Sequence, residues 1–211
     1  YVLESILKKE VGKLWHKDTN LQECDFIILP GGFSFGDYLR SGAIAKFSPI
    51  MKEIIGFANA GGFVMGICNG FQILCETGLL PGALLHNTNH KFICKNIHLK
   101  TISDNSILTN MIGNKSLKMP IAHGEGRYFA EAKTIAELET NDQILFKYCN
   151  EKGEITEDSN PNGSIKNIAG VCNKDRNVFG MMPHPERAAD IELKSTNGRK
   201  LFESILSKVI A

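Results

Sequence analysis

Apolar residues recur along this chain in two alternating patterns. Val2, Leu3, Ile6, Leu7 and Val11 fall at helical spacing from the first residues, which predicts an amphipathic helix. Residues 25–29 are a short apolar run stopped by Pro30-Gly31-Gly32, the pattern of a buried strand. Ser48-Pro49 supplies an N-cap and a first-turn proline, and the helix behind it turns Ile50, Ile54, Ile55 and Phe57 inward before Gly61-Gly62. A second buried strand follows at 63–67. A helix opens directly after Cys68, with Gly78 placed to end it in a left-handed conformation. This strand–helix alternation predicts an α/β fold with an open, mostly parallel sheet.

The pattern changes near Lys91. Residues 92–99 alternate as a strand with one wetter face does, and 117–123, 144–148, 168–172 and 178–182 are further strands. Residues 134–138 suggest one helical turn. The polar stretch 153–164 contains Asn-Pro-Asn-Gly and predicts a turn or exposed loop. A last helix at 197–209 buries Leu201, Phe202, Ile205, Leu206 and Val209. With no repeat, low-complexity tract or linker, the expectation is one domain over residues 1–211.

Composition changes this picture little. Hydrophobic residues make up 43% and charged residues 22%, with a net charge of +1, so there is no basic stripe to suggest nucleic acid. The six cysteines, at 24, 68, 75, 94, 149 and 172, include no C-x-x-C pair and suggest neither a zinc site nor a disulfide framework. Five read as packing residues in a reducing, cytoplasmic setting. No apolar run is long enough for a membrane span, and the first residues lack a charged-then-apolar targeting pattern.

One cysteine is different. Gly66-Ile67-Cys68-Asn69-Gly70-Phe71-Gln72 sits between a buried strand and a helix, the layout of a nucleophile elbow with sulfur for oxygen. Such a turn needs small residues two positions away on each side, and a helix N-terminus beneath the sulfur favours its thiolate. Alone, the motif also fits a buried cysteine in a glycine-rich turn. A base and its orienter stand in Met182-Pro183-His184-Pro185-Glu186. Its prolines hold the backbone extended, so His184 and Glu186 can share a face, although a turn histidine beside a solvated glutamate has the same sequence. Gly31-Gly32-Phe33, after the first strand, offers a backbone N–H that with that of Asn69 would form an oxyanion hole. A plain βα loop or a phosphate cradle competes, though no phosphate-loop signature is present. His123, in Ala-His-Gly-Glu-Gly-Arg-Tyr, is a weaker candidate base that could line the same pocket. His16, His86, His90 and His98 read as surface or structural residues.

Together these motifs resemble class I glutamine amidotransferases. The likeness is nearest to the glutaminase subunits of phosphoribosylformylglycinamidine synthases, through residues 29–45, 66–72, 122–128, 160–164 and 182–187. The resemblance implies a flavodoxin-like sheet with helices on both faces and a triad of Cys68, His184 and Glu186. It implies that Gln72, His123 and Gly124 hold glutamine while Gly32, Phe33 and Asn69 serve the oxyanion. It further implies a synthetase partner that binds ATP, magnesium and formylglycinamide ribonucleotide, a small accessory subunit, and no cofactor or metal in this chain. That partner is expected on the face carrying 33–45 and 122–128. The family begins with a strand ahead of the first helix here, so about 15–20 residues are expected to be missing, leaving a gap at an inner sheet position. Another class I amidotransferase, a flavodoxin-like cysteine hydrolase and a catalytically silent binding module are the alternatives.

Overall fold

A computed structural model describes residues 1–32, 44–113 and 116–209. Seven strands form one sheet in the order β1-β2-β9-β8-β7-β4-β5, with β3 and β6 paired apart from it. The half that positions the site comprises β1 (Phe26–Leu29), β2 (Phe63–Ile67) and β9 (Val178–Met181). These three are parallel and in direct register, Leu29 beside Gly66 and Ile67 beside Met181. Parallel neighbours need a crossover. Between β1 and β2 it contains α1 (Pro49–Asn59), which starts at Pro49 as expected and buries Ile50, Met51, Ile54 and Ala58. α2 (Asn69–Glu76) leaves β2 through Cys68, and Gly78 follows it at φ +77°. Burial on both faces explains why β2 and β9 read as unbroken apolar runs.

The α/β class holds, but the parallel pairing is confined to that half. β8 (Ile168–Cys172), β7 (Ile144–Cys149), β4 (Ile93–Thr101) and β5 (Leu117–His123) extend the sheet through four antiparallel pairings. The physical reason lies in the connections: residues 173–177 join β8 to β9 as a hairpin, with no room for a crossover helix. Among the described residues the seven strands pair as one continuous sheet. β1 pairs directly with β2 and stands at one edge, β5 at the other.

Other expectations need correction. The first helix shrinks to a single π-helical turn, Val2–Ile6, and residues 7–25 contain no helix or strand. Only Val2 of that turn is buried, and Lys8 bends the chain at φ 54°. The helical turn near 134–138 is a nine-residue helix, α3 (Ala132–Thr140), whose Ile135 and Leu138 are buried. The last helix, α4, is Arg199–Val209 and buries Leu201, Phe202 and Ile205. β3 (Ala83–Leu85) and β6 (Arg127–Phe129) were not anticipated. The stretch 153–164 is not wholly exposed, because Asn162 is fully buried among polar partners.

Candidate active site

The C-terminal ends of β1, β2 and β9 lie side by side, and each releases one part of the site. β1 leads into Gly31-Gly32, β2 into Cys68, and β9 into His184. Open α/β sheets bind ligands at this edge.

Cys68 joins β2 to α2 with φ 54° and ψ −109°, a strained backbone for a residue with a side chain. Close packing holds it there. A Cβ on Gly70 would stand 2.0 Å from the Leu29 carbonyl oxygen, and one on Gly66 would stand 2.6 Å from the Gly70 backbone. The expected need for small residues on both sides of the nucleophile is therefore real, its cause being contact with β1 at Gly70 and with the backbone of the elbow itself at Gly66. The Cys68 N–H donates to the Met181 carbonyl at 2.9 Å, tying the elbow to β9.

His184 is buried, and its backbone N–H donates to Pro120 O at 2.9 Å. Its Nδ1 lies 2.6 Å from Glu186 Oε1. With the carboxylate ionised, Nδ1 carries the proton, and Nε2 keeps the lone pair. That Nε2 is buried without a hydrogen-bond partner among the described residues. The two side chains are brought together although His184 stands just before a 3-10 turn, Pro185–Ala188, so the segment is extended at His184 only. Gly31 lies between base and sulfur: a Cβ there would meet His184 Cε1 at 2.8 Å and Cys68 Cβ at 3.2 Å.

A cavity of about 310 Å³ opens above these groups. Its lining includes Gly32, Cys68, Asn69, Gln72, His123, Gly124 and His184. Every described residue expected at the site is therefore gathered in one place, with Glu186 bonded to His184 beside it. Phe33 lies outside the described residues, as does most of the 33–45 loop. The Gly32 N–H donates to Asn69 Oδ1 at 3.4 Å, so the side chain of Asn69 occupies this donor. Gln72 Nε2 donates to Glu125 O at 2.7 Å, fixing the loop after β5 against α2.

Several contributors escaped the sequence. Cys94 is exposed and lines the cavity with Phe92 and Arg187, whereas it was expected to be a packing residue. Expected to be only a surface or structural residue, His86 places Nε2 3.2 Å from Glu125, another lining residue. Behind the cavity, Asn162 Nδ2 donates to Gly126 O at 2.8 Å, and Ser164 Oγ accepts from Tyr128 N at 3.0 Å. The Asn-Pro-Asn-Gly-Ser stretch thus braces the 123–128 loop. Its offset from that loop gives no local pattern. His123 itself is buried and kept neutral, its pKa lowered to about 4 by burial and then by His184. That makes it a poor base. Among the described residues, no group of three or more His, Cys, Asp or Glu side chains is placed to hold a metal ion.

Comparison with known proteins gives the family. The family model of the CobB/CobQ-like glutamine amidotransferase domain matches residues 4–206. The phosphoribosylformylglycinamidine synthase subunit PurQ of Koribacter versatilis is 52% identical over 207 residues, which are 98% of this chain and 90% of that protein. The subunit of the same name from Aquifex aeolicus is 51% identical over 208 residues, 98% of this chain and 92% of that protein. Among solved structures, PurLQS from Thermotoga maritima superposes with a TM-score of 0.77 at 44% identity, over 90% of this chain and 82% of that one. The glutaminase domain of Trypanosoma brucei CTPS with bound acivicin shares the fold alone, at a TM-score of 0.60 and 12% identity over 98% and 85%. By both sequence and structure, the chain belongs to the glutamine amidotransferase family of the PurQ subunits of phosphoribosylformylglycinamidine synthase.

Proposed function

We propose that this chain is the glutaminase subunit of a phosphoribosylformylglycinamidine synthase, with Cys68 as nucleophile, His184 as acid/base and Glu186 as its orienter. The observation that carries the assignment is the Glu186–His184 pair at 2.6 Å, which leaves Nε2 unpartnered at the cavity that Cys68 also lines. His184 Nε2 takes the proton of the Cys68 thiol, the thiolate attacks the carboxamide carbon of glutamine, and the oxygen becomes an oxyanion facing the N–H groups of Gly32 and Asn69. Collapse breaks the C–N bond, His184 Nε2 delivers the proton, and ammonia leaves a glutamyl thioester on sulfur. His184 then removes a proton from water, which attacks the thioester and releases glutamate. Glu186 stays ionised throughout and stabilises the imidazolium.

Gln72, His123 and Gly124 hold the glutamine. Phe33, next to Gly32 in the sequence, serves the oxyanion with it. The ammonia passes to a synthetase that converts formylglycinamide ribonucleotide with ATP and magnesium on its own chain, assisted by a small accessory subunit. This chain needs no cofactor of its own and works in the cytoplasm. No described helix is long and apolar enough to cross a membrane. The test is glutamine hydrolysis by the chain assembled with its synthetase, before and after alkylation. Cys68→Ser is expected to abolish ammonia release. Activity retained in that variant would refute the assignment.

A further inference from the structure

Asn87 is fully buried between β3 and β4, and its side chain makes four hydrogen bonds, three to the 123–126 loop that lines the cavity and one to Lys91. Its Nδ2 donates to the carbonyls of Lys91 at 2.8 Å and His123 at 2.9 Å. That fixes the orientation of the amide, because only its oxygen remains to accept. Oδ1 lies 3.2 Å from Gly126 N and 3.2 Å from His123 Nδ1. An amide oxygen cannot donate, so His123 Nδ1 must carry a hydrogen. Gly126 presses the ring in place: a Cβ there would come within 2.2 Å of the His123 imidazole. Nε2 is then the ring atom left over. It is buried without a partner among the described residues, in a side chain that lines the cavity.

We propose that Asn87 is a positioning residue that sets His123 in its Nδ1–H tautomer, so that Nε2 accepts a hydrogen bond from the α-ammonium of glutamine. The inference rests on the glutaminase reading above. Glutamine offers two nitrogen donors, and its carboxamide nitrogen has to lie beside Cys68 and His184 to react. The α-ammonium is the donor that still needs an acceptor. A bond from a charged donor to a buried neutral nitrogen is among the stronger kinds. A protonated His123 would instead repel the ammonium, and burial together with His184 keeps it neutral. The other ionisable side chains lining the cavity are Cys68, Cys94, Glu125, His184 and Arg187. Glu125 is paired with His86, and Arg187, whose Nε lies 3.7 Å from Glu186 Oε1, is the cation in the lining that could meet the α-carboxylate.

The experiment compares glutamine with glutaric acid monoamide, which lacks only the α-amino group, as substrates of the assembled complex. Wild type is expected to show a KM for the monoamide roughly 10- to 100-fold above that for glutamine, the scale of one charged hydrogen bond. Asn87→Ala and Asn87→Asp are expected to raise the KM for glutamine by a similar factor, with kcat little changed and the KM for the monoamide unchanged. In Asn87→Asp the new carboxylate would favour protonated His123, which has no lone pair to offer. Alkylation of Cys68 by iodoacetamide at the wild-type rate shows that the site of each variant is intact. Should the variants not fold, ¹⁵N NMR of wild-type His123 is decisive. It is expected to show the proton on Nδ1 and an Nε2 resonance that moves on adding glutamate. A proton on Nε2, equal use of both amides by wild type, or parallel KM shifts for both amides in the variants would overturn the proposal. A wild type that hydrolyses neither amide would sink the glutaminase reading itself, and the NMR measurement would still decide the tautomer.

Discussion

The proposed chemistry depends on three side chains whose states are set by their nearest neighbours. The 2.6 Å contact between His184 and Glu186 fixes which imidazole nitrogen carries the proton. His184→Ala is expected to lower kcat by roughly 10²-fold or more, the usual scale for a lost acid/base. Glu186→Gln is expected to lower it by about 10²-fold as well, because the amide can present its N–H to Nδ1 and favour the wrong tautomer. Steady-state ammonia release checks both. His123 gives a stability prediction. Its folded pKa is lowered to about 4 from the usual value near 6.5, so the unfolded chain binds the extra proton first. Its contribution is full above about pH 6.5 and is lost as pH falls toward 4, up to roughly 3 kcal/mol. Denaturant unfolding of wild type and His123→Gln across that window should show the variant losing less. Cys68, His184 and Glu186 were legible in the sequence because each stands in a short segment whose glycines or prolines have a local purpose. Asn87 and Asn162 were not, since the loop residues they hold, His123 and Gly126, lie 36 or more positions away and buried asparagines have no signature of their own.

At the scale of elements, the site depends on how tightly the elbow meets β1. Gly70→Ala would drive a methyl group into the Leu29 carbonyl, so it is expected to cost about 3 kcal/mol or more of stability. Thermal unfolding measures this, and an unchanged midpoint would contradict the packing account. Strands buried on both faces announced themselves as apolar runs, which is why β2, β8 and β9 were placed within a residue, and the half-buried β1 did so as well. The three-residue strands β3 and β6 are too short to show a period. The apolar stripe at the start of the chain looked helical, yet only one turn forms, with Val2 buried and Leu3 and Ile6 half-buried against the core. Strand direction was misread for a related reason: alternation reveals which face is wet but not which neighbour a strand chooses.

For the whole molecule, the three parallel strands form a frame that carries Gly31-Gly32, Cys68 and His184 to one edge, and the antiparallel half supplies the 123–126 loop through β5. Ammonia released into bulk water would be protonated and diluted, so this edge is useful when a synthetase covers it. The isolated chain is expected to hydrolyse glutamine slowly and to speed up when synthetase, nucleotide and ribonucleotide are added. The expected cause is release of the Gly32 N–H, which now donates to Asn69 Oδ1, by a partner that prefers the conformation with both oxyanion donors free. Equal rates with and without the partner would count against that coupling.

The central claim is that sulfur of Cys68 carries the glutamyl group. Acid quenching of the assembled enzyme during turnover, followed by peptide mapping, tests it most directly. The cavity offers its own control, since Cys94 lines the same space and is the more exposed thiol. The account predicts a glutamyl thioester on the peptide holding Cys68 and none on the peptide holding Cys94. A thioester on Cys94, or turnover with no thioester on Cys68 under conditions that slow its hydrolysis, would contradict it.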